Sequence, residues 1–270
     1  MRIKIPLYQP SLSGNEKKYV LDCLDTNWIS SKGKYVKLFE EKFAKKNNVK
    51  FAIAVSNGTV AIHLALMSLN IGPGDEVIVP TLTYIASVNP ISYVGAKPVF
   101  ADSLEDTWQI DPLDIENKIT SKTKAIIVVH LYGHPCNMEL IMKIAKKYNL
   151  FVIEDCAEAL GSKFKDRFVG TFGDISTFSF FGNKTITTGE GGMVITNNKK
   201  IFKHCIHLKT QGLMDNKEYW HNIVGYNYRM TNICAAIGFA QLKQLDIFIK
   251  KKRALFELYK EKLDNLPIKI

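Results

Sequence analysis

A chain of 270 residues that is 46% hydrophobic and 23% charged can bury a large core and reads as an ordinary globular protein of one large or two modest domains. Residues 1–10 carry no apolar core of signal-peptide length and no later run approaches a membrane span, so a membrane protein is not expected and the cytoplasm is the expected location. The net charge of +10 rests on lysines with only four arginines, in clusters (Lys45-Lys46, Lys146-Lys147, Lys199-Lys200, Lys250 to Arg253) too dispersed for a nucleic-acid groove.

In chain order, residues 14–26 and 35–47 have the spacing of amphipathic helices, joined by a turn-rich connection around Trp28. An alternation then begins: a strand over 51–55, a helix over 59–69, a strand over 76–79, a helical segment over 84–93 and a strand over 98–101. Further strands are expected at 125–129, 150–153, 175–180 and 193–196, with a helix over 139–147. Short, nearly all-apolar strands alternating with helices imply a largely parallel sheet covered on both faces, whose ligands gather at the carboxyl ends of the strands. Beyond residue 197 the pattern is helical, over 199–209 and then 231–263, the latter as two helices. The five cysteines, odd in number and without a C-x-x-C pair, indicate neither a disulfide framework nor a zinc site.

The stretch Ser176 to Gly192 sets Lys184 between an aromatic run (Phe178, Phe180, Phe181) and glycines Gly182, Gly189, Gly191 and Gly192. The phenylalanines are expected to wall an apolar pocket and the glycines to allow tight backbone paths. An amine in such a pocket is favoured in its neutral form and can attack a carbonyl. Most lysines of so lysine-rich a chain are surface solubilisers, so it is these surroundings that single out Lys184. A P-loop ending does not fit, because Asn183 and Phe178 stand where its glycines belong.

Three strand ends should meet this lysine. Val55-Ser-Asn-Gly-Thr59 combines a strand, a turn and a helix start, an anion site for a single phosphate or simply a capped helix. Residues 151–158 run an apolar strand into Glu154, Asp155 and Glu158, carboxylates that serve a ligand or cap a helix. Tyr84 follows Pro80-Thr-Leu-Thr83 and either stacks or packs. A lysine, a strand-end aspartate, a phosphate-type turn and an aromatic are the parts that hold pyridoxal phosphate (PLP).

Asp155-x-Ala157, Ser179 five residues before Lys184, and Thr188-Gly-Glu-Gly-Gly192 together resemble the PLP-dependent sugar-nucleotide aminotransferases of the DegT/StrS type. The strings 55–59, 80–87, 154–159, 180–189 and 225–232 are most similar to the branch of that family that aminates GDP-linked 4-keto-6-deoxy sugars. The resemblance spans nearly the whole chain. It implies the aspartate-aminotransferase-like fold, PLP-dependent transferase fold type I, with a mostly parallel central sheet flanked by helices. Lys184 would be the Schiff-base lysine and proton shuttle, and Asp155 the partner of the pyridinium nitrogen. Tyr84 and Ala157 would flank the ring; Gly58, Thr59 and Ser179 would hold the phosphate, with Asn227 contributed by a neighbouring subunit of a homodimer. Glu158 would lie near the cofactor hydroxyl or the sugar.

The implied substrates are L-glutamate and a nucleotide-linked keto sugar, GDP-4-keto-6-deoxy-D-mannose before its UDP- or dTDP-linked counterparts, with surface polysaccharide as destination. Retention of Lys184, where dehydrating relatives carry histidine, favours amino transfer over deoxygenation. Residues 1–245 are expected to form the large PLP-binding domain and 246–270 the helical start of an incomplete small C-terminal domain. A catalytically silent PLP-fold chain that serves as a partner subunit is the alternative from another class.

Overall fold

The computed structural model describes residue 6, residues 8–214, residue 217 and residues 219–267. Its centre is a seven-stranded sheet built from β1 (Phe51–Val55), β2 (Glu76–Pro80), β3 (Lys97–Ala101), β4 (Thr123–Val129), β5 (Phe151–Asp155), β8 (Ile175–Ser179) and β9 (Gly192–Thr196). The spatial order is β1-β9-β8-β5-β4-β2-β3, and the two-residue strands β6 (Lys163–Phe164) and β7 (Arg167–Phe168) form a separate hairpin. All pairings inside the sheet are parallel except those of β9, which runs against both β1 and β8. The carboxyl ends of β1, β8, β5, β4 and β2 therefore share one edge with the amino end of β9. At that edge Gly192 stands opposite both Val55 and Ser179. A Cβ on Gly192 would come within 2.5 Å of the Asn57 carbonyl oxygen, so only glycine fits there.

Both faces of the sheet are covered over most of its width, which is why most strands read as apolar runs, while the edge strand β3 leaves Lys97 and Phe100 exposed. On one face Ile53, Val55, Val77, Val79, Ile127 and Ile153 pack against α3 (Gly58–Ser68), α4 (Asn89–Tyr93) and α7 (Lys199–Lys209). On the other, Ala52, Ala54, Phe178, Met193 and Ile195 meet α1 (Glu16–Asp25), α2 (Lys34–Asn47) and α8 (Asn232–Lys243). Farther along that face, Ile78, Ile126, Val128 and Val152 pack on α5 (Pro112–Asn117) and α6 (Met138–Tyr148). Helix α9 (Leu245–Leu263) buries Leu245 and Phe248 and is exposed from Lys250 to Lys262. Residues 268–270 of the expected second domain lie outside the described residues.

The expected helical segment over 84–93 is two pieces, a 3₁₀ turn over Ile85–Ser87 and then α4. Pro90 sits in the first turn of α4, the part of a helix where its missing N–H costs nothing.

The candidate active site

One strand end, that of β5, carries the acids. Asp155 ends β5, is 5% exposed, and sits opposite Thr177 of β8. Its Oδ2 accepts from the Ser87 hydroxyl at 2.7 Å and its Oδ1 from the Ala157 N–H at 3.0 Å. Burial pushes this carboxyl above the usual range, opposed by the Ser87 hydroxyl, the Ala157 N–H and the positive charge of nearby Lys184. Glu158, three residues on, takes the Tyr132 N–H on Oε2 at 2.8 Å and faces Lys184 Nζ with Oε1 at 3.5 Å.

Lys184 is carried by the loop between β8 and β9, its side chain 19% exposed. The aromatic run does not surround it. Phe178 and Phe180 are buried on the opposite face among Phe39 and Phe43, with ring centroids 5.0–5.6 Å apart, and Phe181 is largely exposed. Side chains alternate along a strand, so Ser179 points to one face while its two phenylalanine neighbours point to the other. The neighbour of the amine is a carboxylate. Of the glycines, Gly189 has φ +81°, whereas among the described residues a side chain at Gly182 would meet just Tyr8, at 3.9 Å.

At the end of β1 the chain turns directly into α3. Asn57 caps it through Oδ1, which accepts from the Val60 N–H at 3.0 Å, and the N–H groups of Gly58 and Thr59 open the helix. A Cβ on Gly58 would lie 2.8 Å from Ser179 Cβ and 3.2 Å from its Oγ. The strand-end hydroxyl and the helix start thus touch across β9, a cradle for an anion.

Tyr84 lies 75% exposed at the start of the 3₁₀ turn, and Ala157 is partly buried beside Asp155. Asn227 is exposed, its Oδ1 accepting from Arg229 Nε at 2.9 Å.

The sequence reading left out Ser87 and His130, and Glu154, read there as a ligand or cap carboxylate, binds backbone N–H groups instead. Ser87 holds Asp155 from 68 positions away, a separation no local pattern reports. Behind Asp155, completely buried Glu154 accepts from the N–H groups of Gly170, Phe172 and Gly173, each at 2.7 Å, and faces His130 Nε2 at 3.1 Å. The Cys136 N–H donates to His130 Nδ1 at 3.1 Å, which assigns the ring proton to Nε2, towards Glu154. His130, Glu154 and Cys156 bring possible metal-ligand atoms within 4.8 Å of one another. The histidine and carboxylate are already spent on these hydrogen bonds, and burial pushes the Cys156 thiol up to about 12.

Residues 10–270 match the model of the DegT/DnrJ/EryC1/StrS aminotransferase family. The chain belongs to that family. It is 66% identical over 262 residues to a GDP-perosamine synthase of Escherichia coli O157:H7, covering 97% of this chain and 72% of that one. Among solved structures it is similar to the PLP form of a putative sugar aminotransferase from Streptococcus pneumoniae, with TM-score 0.91 and 31% identity over 97% of this chain and 72% of that one. It is also similar to a mutant GDP-4-keto-6-deoxymannose-3-dehydratase with bound GDP-perosamine, with TM-score 0.89 and 30% identity over 96% of this chain and 74% of that one. The expected fold, a PLP-dependent transferase fold with a mostly parallel sheet flanked by helices, is therefore the fold observed.

Proposed function

We propose that this family member is a pyridoxal-phosphate-dependent enzyme that moves the amino group of L-glutamate to the 4-keto carbon of a GDP-linked 4-keto-6-deoxy sugar, converting GDP-4-keto-6-deoxy-D-mannose to GDP-perosamine. The observation that carries the substrate choice is the 66% identity to a GDP-perosamine synthase across 97% of the chain. The residues present fit the cofactor: Asp155 is a buried carboxylate hydrogen-bonded, among the described residues, to a neutral hydroxyl and an N–H, ready for a cationic partner. The Gly58–Ser179 contact forms an anion cradle, and an amine stands beside the acids.

When bound, pyridoxal phosphate supplies an aldehyde that takes up the amino group and a ring that accepts the electron pair of the broken C–H bond. In this reading Gly58, Thr59 and Ser179 hold its phosphate, Tyr84 and Ala157 flank its ring, and Asp155 holds the proton on the ring nitrogen. Lys184 Nζ would hold the cofactor through its aldehyde carbon and, as the base at the site, would carry the proton between the α-carbon of glutamate and the cofactor side. The same lysine would move the proton in the opposite sense for the sugar. Glu158 Oε1, 3.5 Å away, would hold the amine in place between the two transfers.

We assign Asn227 to the phosphate of a second copy of the chain, so that a homodimer is the working unit. Residues 1–245 are assigned to the cofactor-binding domain, and 246–270 to the start of a further one. The five cysteines are free thiols, as in a reducing compartment, and no described helix is long and apolar enough to cross a membrane; both support a cytoplasmic place.

The test is to supply the purified chain with PLP, L-glutamate and GDP-, UDP- or dTDP-linked 4-keto-6-deoxy sugars, and to measure 2-oxoglutarate and the amino sugar by mass spectrometry. Amination of the GDP-linked sugar supports the reading. Amination only of a UDP- or dTDP-linked sugar overturns the substrate, and failure to bind PLP overturns the chemistry.

A further inference from the structure

Asp155 is gripped at both oxygens by groups from different parts of the chain. Ala157 N–H holds Oδ1 from the same strand end, and Ser87 Oγ holds Oδ2 from the turn beyond β2. The second grip is itself supported, because Thr83 Oγ1 lies 2.9 Å from Ser87 Oγ. The direction of this chain follows from proton counting. An ionised carboxylate only accepts, so the single Ser87 proton goes to Asp155 and the Thr83 hydroxyl donates to Ser87. Donors in series polarise one another, which strengthens the last bond, the one to the carboxylate.

We propose that Ser87 is a positioning residue for the amino-transfer chemistry: with Thr83 behind it, its hydroxyl fixes the rotation of the Asp155 carboxylate and so presents an ionised edge to the cofactor's ring nitrogen. This rests on the function proposed above.

The terminal torsion of an aspartate is broad and two-fold, so one hydrogen bond leaves the carboxylate free to swing, whereas a grip on each oxygen sets its plane. A hydroxyl suits the task because it is neutral. A lysine or arginine at this place would neutralise Asp155 and compete with the ring nitrogen for it. Each oxygen has a lone pair left after these bonds. Ser87 is 2% exposed, and its N–H closes the 3₁₀ turn on the Tyr84 carbonyl at 3.0 Å. One turn, residues 83–87, thereby positions both the proposed ring-face residue and the charge beneath the ring nitrogen.

The test compares dissociation constants for PLP and for 1-deaza-PLP, in which a C–H replaces the ring nitrogen, on the wild-type chain, Ser87→Ala and Ser87→Cys. Wild type is expected to bind PLP more tightly than the deaza analogue. A hydrogen bond to a charged group is worth about 1.5–3 kcal/mol, so Ser87→Ala should weaken PLP by about tenfold or more and the deaza analogue by less than about threefold. Ser87→Cys keeps nearly the volume but has a weak donor, and it should behave like alanine. Equal weakening of both ligands in Ser87→Ala, or wild-type behaviour of Ser87→Cys, would overturn the proposal. If wild type binds PLP but does not distinguish it from the analogue, the role of Asp155 itself falls, and Ser87 with it. If wild type binds neither ligand, the failure lies in the proposed cofactor chemistry.

Discussion

Lys184 and Glu158 face each other at 3.5 Å with side chains 19% and 30% exposed, a loose pair beside a buried acid. Such a pair contributes on the order of 0–1 kcal/mol to stability. Lys184→Ala should therefore leave the thermal midpoint within a few degrees of wild type while abolishing 2-oxoglutarate formation and the visible absorption band with PLP. Measurable amino transfer by that variant would remove Lys184 from its role.

Asp155→Ala should cost about a hundredfold or more in amino transfer, on the order of 2.7 kcal/mol in the barrier, because in the proposed site the ring nitrogen would lose its anion. A single-turnover measurement with L-glutamate isolates this from the sugar step. An Asp155→Ala enzyme within a few-fold of wild type would contradict the assignment.

Gly58→Ala places a methyl 2.8 Å from Ser179 Cβ, in the mouth of the anion cradle. Either the helix start or the strand end must shift, so PLP affinity should fall by about tenfold, roughly 1.4 kcal/mol. Titration of the cofactor band checks this. Asn57→Ala, which removes a helix cap instead, should lower stability by about 1 kcal/mol with a smaller effect on affinity.

Glu154 makes the sheet sensitive to acid. Burial opposes its charge, but the His130 hydrogen bond and the Gly173 and Gly170 N–H groups win and hold its carboxyl below the ordinary value of 4.5. A depressed folded value contributes stability above the unfolded value that is lost as pH falls through the folded one. Glu154→Gln replaces one accepting oxygen by an amide nitrogen that cannot accept, so it leaves buried N–H donors unpaired and should destabilise by about 2 kcal/mol or more near neutrality, with a shallower loss below pH 4.5 than wild type. Asp155, raised by burial, has the opposite sign and favours the folded chain as pH falls. Urea midpoints from pH 7 down to about 3 would read both.

Strands β1, β2, β4 and β9 were legible because each is a mostly apolar run buried on both faces, as in β1, where Ile53 faces one side and Ala52 and Ala54 the other. Six-residue α5 and the two-residue strands β6 and β7 are too short to impose a period. In the site, Lys184, Asp155 and Glu158 stood out as charged groups next to apolar strands. The surroundings of Lys184 were misread because aromatic neighbours in sequence were taken as neighbours in space, although Phe178 and Phe180 point away from Ser179. Ser87 and His130 were out of reach of the sequence, since an ordinary serine and a histidine acquire meaning only from the acids that folding brings to them.

Because β9 runs against its neighbours, the loop of residues 180–191 leaves and re-enters the sheet at one rim, pinned where Ser179 pairs with Gly192. Lys184 hangs from that rim as on a short tether with both ends tied. In the proposed reaction its amine would be released and recaptured without disturbing a single rung of the sheet, and the loop can be remodelled by substitution while the anchorage stays in place.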